Sequence, residues 1–396
     1  MAKTKTNTTW KRIRKFLNDL HLWVGVGTGL ILFVVCFTGT AYTFHHEIDE
    51  WLNADRYYVD TSGDAHVLPL ADLLESAEAS EGKPSSITIP HDPSHSYVVN
   101  VRKKGERRGS NYLVNPYTAE VIGDTKTGAS AFFMVMFRLH RWLMLDTSIG
   151  RPIVGWSTVI FVFLCFSGLV IWVPQKAKSW KQGLKIKWSA NWKRVNHDLH
   201  NTLGFYSAIL LIIMGVTGLY WSFDWYRDGL YGMLGVENTR RGPSGPDRNN
   251  GDQGEKPRYE ATLPLEEYIS VAQATLNYAG DLRISIPGVS SPNVSLSKTN
   301  VGFFAYSGRD EIQLNKATAE IVTVNRFTDK PVNEQIASSI RSIHTGEILG
   351  TFSKILYFIS CLIATSLPVT GVLIWINKLK KKAKRDKSVQ HLKQPA

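Results

Sequence analysis

The sequence predicts a membrane protein: a four-helix transmembrane bundle with two duplicated α+β domains on one side of the bilayer. Three observations predict it. Four stretches of the 396 residues are almost free of charge, the basic residues crowd into three short segments between and beside them, and the second half of the chain repeats the first.

The four apolar stretches are His21–Phe44, Pro152–Val173, Leu203–Phe223 and Phe352–Ile376. Each has the roughly 20 residues that a helix needs to cross about 30 Å of hydrocarbon, and spans are placed at 20–44, 152–173, 200–223 and within 341–376. The first could be taken for a secretory signal. Its apolar core is longer than such signals carry and no small-x-small cleavage pattern follows Tyr42, so it reads as a retained anchor.

The formal net charge of +12 resembles a nucleic-acid signal until it is located. Segments 1–19, 174–202 and 377–396 hold 6, 7 and 8 Lys and Arg against one acid each, a net +18, so the remaining chain carries −6. Basic residues in short segments beside spans mark the cytoplasmic side. Both termini and the 174–202 loop are then cytoplasmic in a bacterial inner membrane, with 45–151 and 224–351 outside. The basicity reports topology, and no nucleic-acid partner is expected.

The repeat is detailed. Asp19-Leu20-His21 recurs as Asp198-Leu199-His200, with Gly25 and Gly204 four residues beyond each His, and Thr38-Gly39 recurs as Thr217-Gly218. Outside the spans, Asn115-x-x-Thr118-Ala119-Glu120 matches Asn315-x-x-Thr318-Ala319-Glu320, and the second and fourth spans end alike, on Gly168-x-x-Ile171-Trp172 and Gly371-x-x-Ile374-Trp375. The duplicated unit is span, outside domain, span. Each outside domain opens with an amphipathic helix pattern, Ala71–Ala79 and Leu265–Tyr278. Strand-like runs follow at Ser96–Val101 and Ser110–Val114, then at Asn293–Ser297 and Phe303–Tyr306. A small α+β domain of roughly 60–80 residues fits each half. Residues 242–257 read as a polar linker and Arg102–Arg108 as a charged hairpin tip.

All three cysteines, Cys36, Cys165 and Cys361, fall in spans, which excludes a disulfide framework. No Gly-rich phosphate loop follows a strand, and the cytoplasmic pieces are too short for a nucleotide domain.

Four of the eleven histidines stand at span ends: His21 and His200 at matching positions on the cytoplasmic side, His140 and His344 at matching positions on the outer side. A single imidazole at a helix end is readily interfacial. Two matched pairs point to axial ligation of iron porphyrin, since facing helices of a bundle can offer one imidazole from each side. Gly25 and Gly204, one turn from their histidines, would leave room for a porphyrin plane, although Gly25-x-x-x-Gly29 also fits an ordinary helix-packing face. His197 stands one turn before His200, and His45 and His46 follow the first span; each is an alternative ligand. His91 and His95 have metal-like spacing, but Pro93 argues against the helix it needs, and they read as surface. The tryptophans near span ends form an aromatic belt, and Pro368 should kink the fourth span.

With these residues in view, the Asp-Leu-His-x-x-x-Gly starts, the Thr-Gly and Ser-Gly marks late in the spans, the segment Arg138–Leu143 and the duplicated outside domains resemble the PepSY-associated transmembrane family over roughly residues 10–378. The resemblance implies two periplasmic PepSY-like domains and ferric-siderophore reductase activity with two haems b. It places His21 and His200 on the inner haem and His140 and His344 on the outer one. An Fe(III) chelate would be the substrate, with a quinol or a separate reductase as electron donor and membrane lipid around the bundle. Against this stand a sensor or scaffold without redox activity, which predicts no chromophore, and a transporter of the chelate, which predicts charged residues inside the spans.

Overall fold

The computed structural model describes residues 8–61, 66–102, 109–174, 180–237, 263–288 and 291–391. The expected linker and the tip of the charged hairpin lie outside the described residues. Four helices are long and apolar enough to cross a membrane. Span helix 1 is Thr8–Tyr42, span helix 2 Thr147–Trp172, span helix 3 Gly204–Ser222 and span helix 4 Gly350–His391. Helix 1 packs on helices 2 and 4, and helix 3 on the same two, which closes a ring. Helices 2 and 3 approach closely at glycines. A Cβ on Gly215 would lie 2.6 Å from Val162, and one on Gly155 2.6 Å from Phe223. Small residues are what let helix backbones meet where no hydrophobic effect separates lipid from side chain.

The sheet lies at the end of the bundle that holds Tyr42. Its strands are β1 (Lys83–Ile89), β2 (Tyr97–Arg102), β3 (Ser110–Val114), β4 (Val121–Asp124), β5 (Gly280–Ser285), β6 (Asn293–Asn300), β7 (Arg309–Asn315) and β8 (Ile321–Asn325). Helices Leu70–Glu81 and Leu265–Thr275 cover one face. Each expected α+β half supplies one covering helix and four strands, and the two halves share a sheet. The strands form one antiparallel sheet in the order β4-β3-β2-β1-β5-β6-β7-β8, and β1 pairs with β5 through Ile87↔Ile284. A single core runs through both halves, from Leu73, Val99 and Val114 to Tyr268, Leu296 and Ile312. The physical reason is size: a half-sheet this small buries too little apolar surface by itself, and pairing β1 with β5 also removes two open strand edges.

Phe303–Tyr306 is not a strand. It is part of the loop between β6 and β7, where Gly302 has φ +144° and the Phe352 backbone N–H donates to the Phe303 carbonyl at 3.0 Å. The repeated Asn-x-x-Thr-Ala-Glu segments are the β3–β4 and β7–β8 hairpin turns. Asn115 and Asn315 cap them, and Ala119 and Ala319 sit at φ +58° and +55°. An alanine pays for left-handed backbone, so Ala119→Gly and Ala319→Gly are each expected to raise stability by up to about 1 kcal/mol. A higher thermal midpoint of the purified protein is the check.

Candidate functional site

The structure brings the sequence-matched histidines together in pairs. The His21 and His200 rings are 6.4 Å apart at the basic end of the bundle, and the His140 and His344 rings are 6.2 Å apart toward the sheet. His21 lies on span helix 1. His200 lies on a π-helical turn, Leu199–Leu203, that leads into span helix 3; such widened turns recur at functional sites because they re-aim a side chain. His140 and His344 are carried by two further helices, Gly128–Trp142 and Val332–Thr345, which descend from the sheet and turn into spans 2 and 4. On span helix 1 the inner pair sits at His21 and the outer pair abuts Gly39, 18 residues and about 27 Å of helix apart.

Every one of the four imidazoles is held from behind in the same way. Nδ1 of His140 donates to the Val35 carbonyl at 2.9 Å, and Nδ1 of His344 to the Met214 carbonyl at 3.0 Å. A carbonyl only accepts, so Nδ1 carries the proton in both. Nδ1 of His21 meets Ser167 Oγ at 2.8 Å, and Ser167 Oγ in turn donates to the Leu164 carbonyl. Nδ1 of His200 meets Thr370 Oγ1 at 2.9 Å, and Thr370 Oγ1 donates to the Ser366 carbonyl at 3.0 Å. Each hydroxyl has spent its hydrogen and accepts from the ring. In all four the Nε2 lone pair is left over, with no hydrogen bond among the described residues. A neutral imidazole oriented through its other nitrogen is the form that binds a metal.

A glycine faces each ring edge. A Cβ built on Gly39 would lie 3.0 Å from His140 Cε1, on Gly218 3.1 Å from His344, on Gly371 3.3 Å from His200 and on Gly168 3.5 Å from His21. These are the Gly of Thr38-Gly39, Thr217-Gly218, Thr370-Gly371 and Ser167-Gly168. The repeated hydroxyl-Gly dipeptide is therefore a histidine seat, with Gly admitting the ring and, at Ser167, Thr370 and Thr217, the hydroxyl meeting Nδ1. The sequence showed the dipeptides, but they read only as marks of the repeat. Gly25 and Gly204 play a lesser part. Both line the cavity around the inner pair, and a Cβ on either would meet Leu164 or Leu367 at ordinary contact distance.

That cavity has a volume of about 480 Å³. Leu22, Phe161, Leu164, Leu211 and Pro368 line its depth, and Arg14, Asn201 and Lys378 stand among its polar lining. Pro368, inside span helix 4, is among its lining residues. Iron porphyrin fits these residues. Two imidazoles bound to one metal through nitrogens at about 2 Å hold their ring centres roughly 6 Å apart, and both pairs have that separation. The cavity offers a macrocycle an apolar lining together with the cations Arg14 and Lys378.

Of the alternative ligands, His197 lines the inner cavity with His21 and His200, whereas the His45 and His46 rings contact neither pair among the described residues. His197 is half exposed and lies 3.2 Å from Asn201. The His45 ring stacks on Tyr42 at 3.9 Å, and His46 lies beyond it, 6.5 Å from His45. His95 is more than surface, because its Nε2 is 2.7 Å from Glu50 at the end of helix His45–Leu52, tying the sheet to span 1. Tyr58 also donates to Glu50, and its phenol is pushed up to about 12 by that bond. No group of three or more His, Cys, Asp or Glu could hold a metal ion among the described residues, and Cys36, Cys165 and Cys361 are free. Met144, exposed at the turn into span 2, has φ +58° and no part in the outer pair.

No curated protein matches the chain. The family model for the PepSY-associated TM region matches residues 19–378, which includes all four histidines, and the chain belongs to that family.

Proposed function

We propose that the protein is a di-haem electron-transfer protein of the bacterial inner membrane that reduces Fe(III)–siderophore chelates on the side where the sheet lies. His21 and His200 would hold the inner haem b, and His140 and His344 the outer one. The observation that carries this reading is the pair geometry: two neighbouring imidazoles toward each end of the bundle, every Nδ1 fixed and no Nε2 hydrogen-bonded among the described residues.

Haem, when bound, would supply a one-electron iron couple, and a pair of neutral imidazoles holding it would suit electron transfer rather than oxygen chemistry. The protein's own part is to fix the rings. Ser167, Thr370 and the carbonyls of Val35 and Met214 hold Nδ1–H, which leaves the Nε2 lone pair to bind a metal. Fe(II) binds the hard oxygens of a siderophore more weakly than Fe(III), so reduction releases the metal. The basic end of the bundle faces the cytoplasm by its charge. The electron would enter at that end from a quinol or a separate reductase.

The test is a reduced-minus-oxidised visible spectrum of the purified protein, with haem and chain quantified together. Two low-spin haems b per chain, re-oxidised on adding a ferric chelate, are expected. A chain without haem from cells that make it would overturn the reading and favour a sensor or scaffold.

A further inference from the structure

Beside the outer pair stand two arginines with no ion-pair partner among the described residues. Arg141 ends the helix that carries His140, and Arg151 lies in the first turns of span helix 2. The turn between them is pressed shut: a Cβ on Gly150 would fall 2.0 Å from the Trp142 carbonyl oxygen. Arg151 Nη2 donates to the Trp221 carbonyl at 2.7 Å, and the Trp221 ring is 5.1 Å from His344. Arg151 Nε is buried and has no hydrogen bond among the described residues. The Arg141 guanidinium lies over the rings of Phe137 and Trp142, 5.4 and 5.6 Å from their centres. The nearest acid in sequence, Asp146, caps Ser148 at 2.8 Å.

Two half-buried guanidiniums of like charge at the mouth of an apolar bundle are costly unless an anion joins them. The planar fork of Arg matches a carboxylate through two parallel hydrogen bonds. The inner pair has comparable company, since Arg14 donates to the Ile171 carbonyl and lines the cavity with Lys378.

We propose that Arg141 and Arg151 form a carboxylate clamp beside the His140–His344 pair. The clamp rests on the functional reading above, and its ligand is a carboxylate-bearing group from one of two sources. One is the pair of acidic side groups of the bound tetrapyrrole, and the other is an anionic Fe(III) chelate approaching that haem.

The experiment compares full-length wild type with Arg141→Gln, Arg151→Gln, the charge-keeping Arg141→Lys and Arg151→Lys, and the exposed control Arg138→Gln. Each is loaded with haem or with haem dimethyl ester, whose acids are blocked. Haem retained per chain, the midpoint potential of the outer haem, and the half-saturating concentrations of anionic ferric citrate and neutral ferric acetohydroxamate are read. If the clamp takes the tetrapyrrole acids, the Gln variants hold the outer haem about tenfold or more weakly, at a more negative potential because a cation that favours Fe(II) is gone. The ester then binds wild type as weakly as haem binds the variants, with no further loss when the two changes combine. If the clamp takes the chelate, haem content and potential stay put. Half-saturation by ferric citrate then rises about tenfold, while acetohydroxamate is unaffected. Both results support the clamp, and the Lys variants are expected to fall between. Variants that match wild type in every readout, or a control that shifts as far as they do, would overturn the clamp alone. A wild type with no outer haem would overturn the functional reading and the clamp's ligand with it.

Discussion

His200→Ala is expected to leave the chain with one haem instead of two and to abolish chelate reduction, while helical circular dichroism stays at the wild-type level. His344→Ala should do the same at the outer site, so the two spectra differ in which haem survives. The loss should be graded according to what each side chain does. Removing a ligand eliminates a metal bond, whereas Thr370→Val only removes the acceptor that holds His200 Nδ1. A lost orienting partner typically weakens metal binding by about 10–100-fold, so Thr370→Val should still bind haem when haem is in excess and lose it on dilution. Equal haem content in Thr370→Val and wild type after dilution would show that the hydroxyl does not orient the ring. Two haems retained in His200→Ala would end the inner assignment.

Gly218→Val should be as damaging to the outer site as loss of the histidine itself. Its Cβ would stand 3.1 Å from His344 Cε1, and the two methyls beyond it would occupy the ring's place. The ring would be driven off its Met214 carbonyl, and the outer haem is expected to be absent from the purified variant, with the inner haem retained. Gly218→Ala asks the ring to yield by only a few tenths of an ångström, so it should keep both haems at a shifted outer potential. Gly25→Ala is the contrast, because its Cβ would meet Leu164 at an ordinary 3.8 Å. It should hold two haems at wild-type potentials. Haem per chain across these three variants checks the ordering, and a Gly218→Val protein with two haems would refute it.

Spans and histidine pairing were legible in the sequence, for a physical reason. A run of 20 apolar residues has one common use, and duplication with conserved spacing puts His21 and His200, or His140 and His344, at equal depth. What could not be read is set by packing between distant segments. Gly25 and Gly204 stood close to their histidines in sequence and drew the eye, but the glycines that seat the rings belong to other helices, 147 residues from His21 to Gly168 and 171 from His200 to Gly371. The π turn under His200 was invisible because nothing in Leu199–Leu203 breaks a helical pattern. Phe303–Tyr306 misled because aromatic residues favour strands, while Gly302 and the contact with Phe352 make the segment a loop. The pairing of β1 with β5 was missed since each half, taken alone, reads as complete.

That pairing also sets the order in which the molecule can be made. β1 emerges early in synthesis, but its neighbour β5 begins about 190 residues later, after two further helices have crossed the bilayer. At about 5–20 residues per second, Ile87 waits roughly 10–40 s for Ile284. For that time the newborn chain exposes an unpaired edge in the compartment where the sheet will form. A protein arrested at this point, or truncated after span 2, is a natural target for chaperones and proteases of that compartment. The two halves of the chain, though each repeats the other, depend on one another to mature.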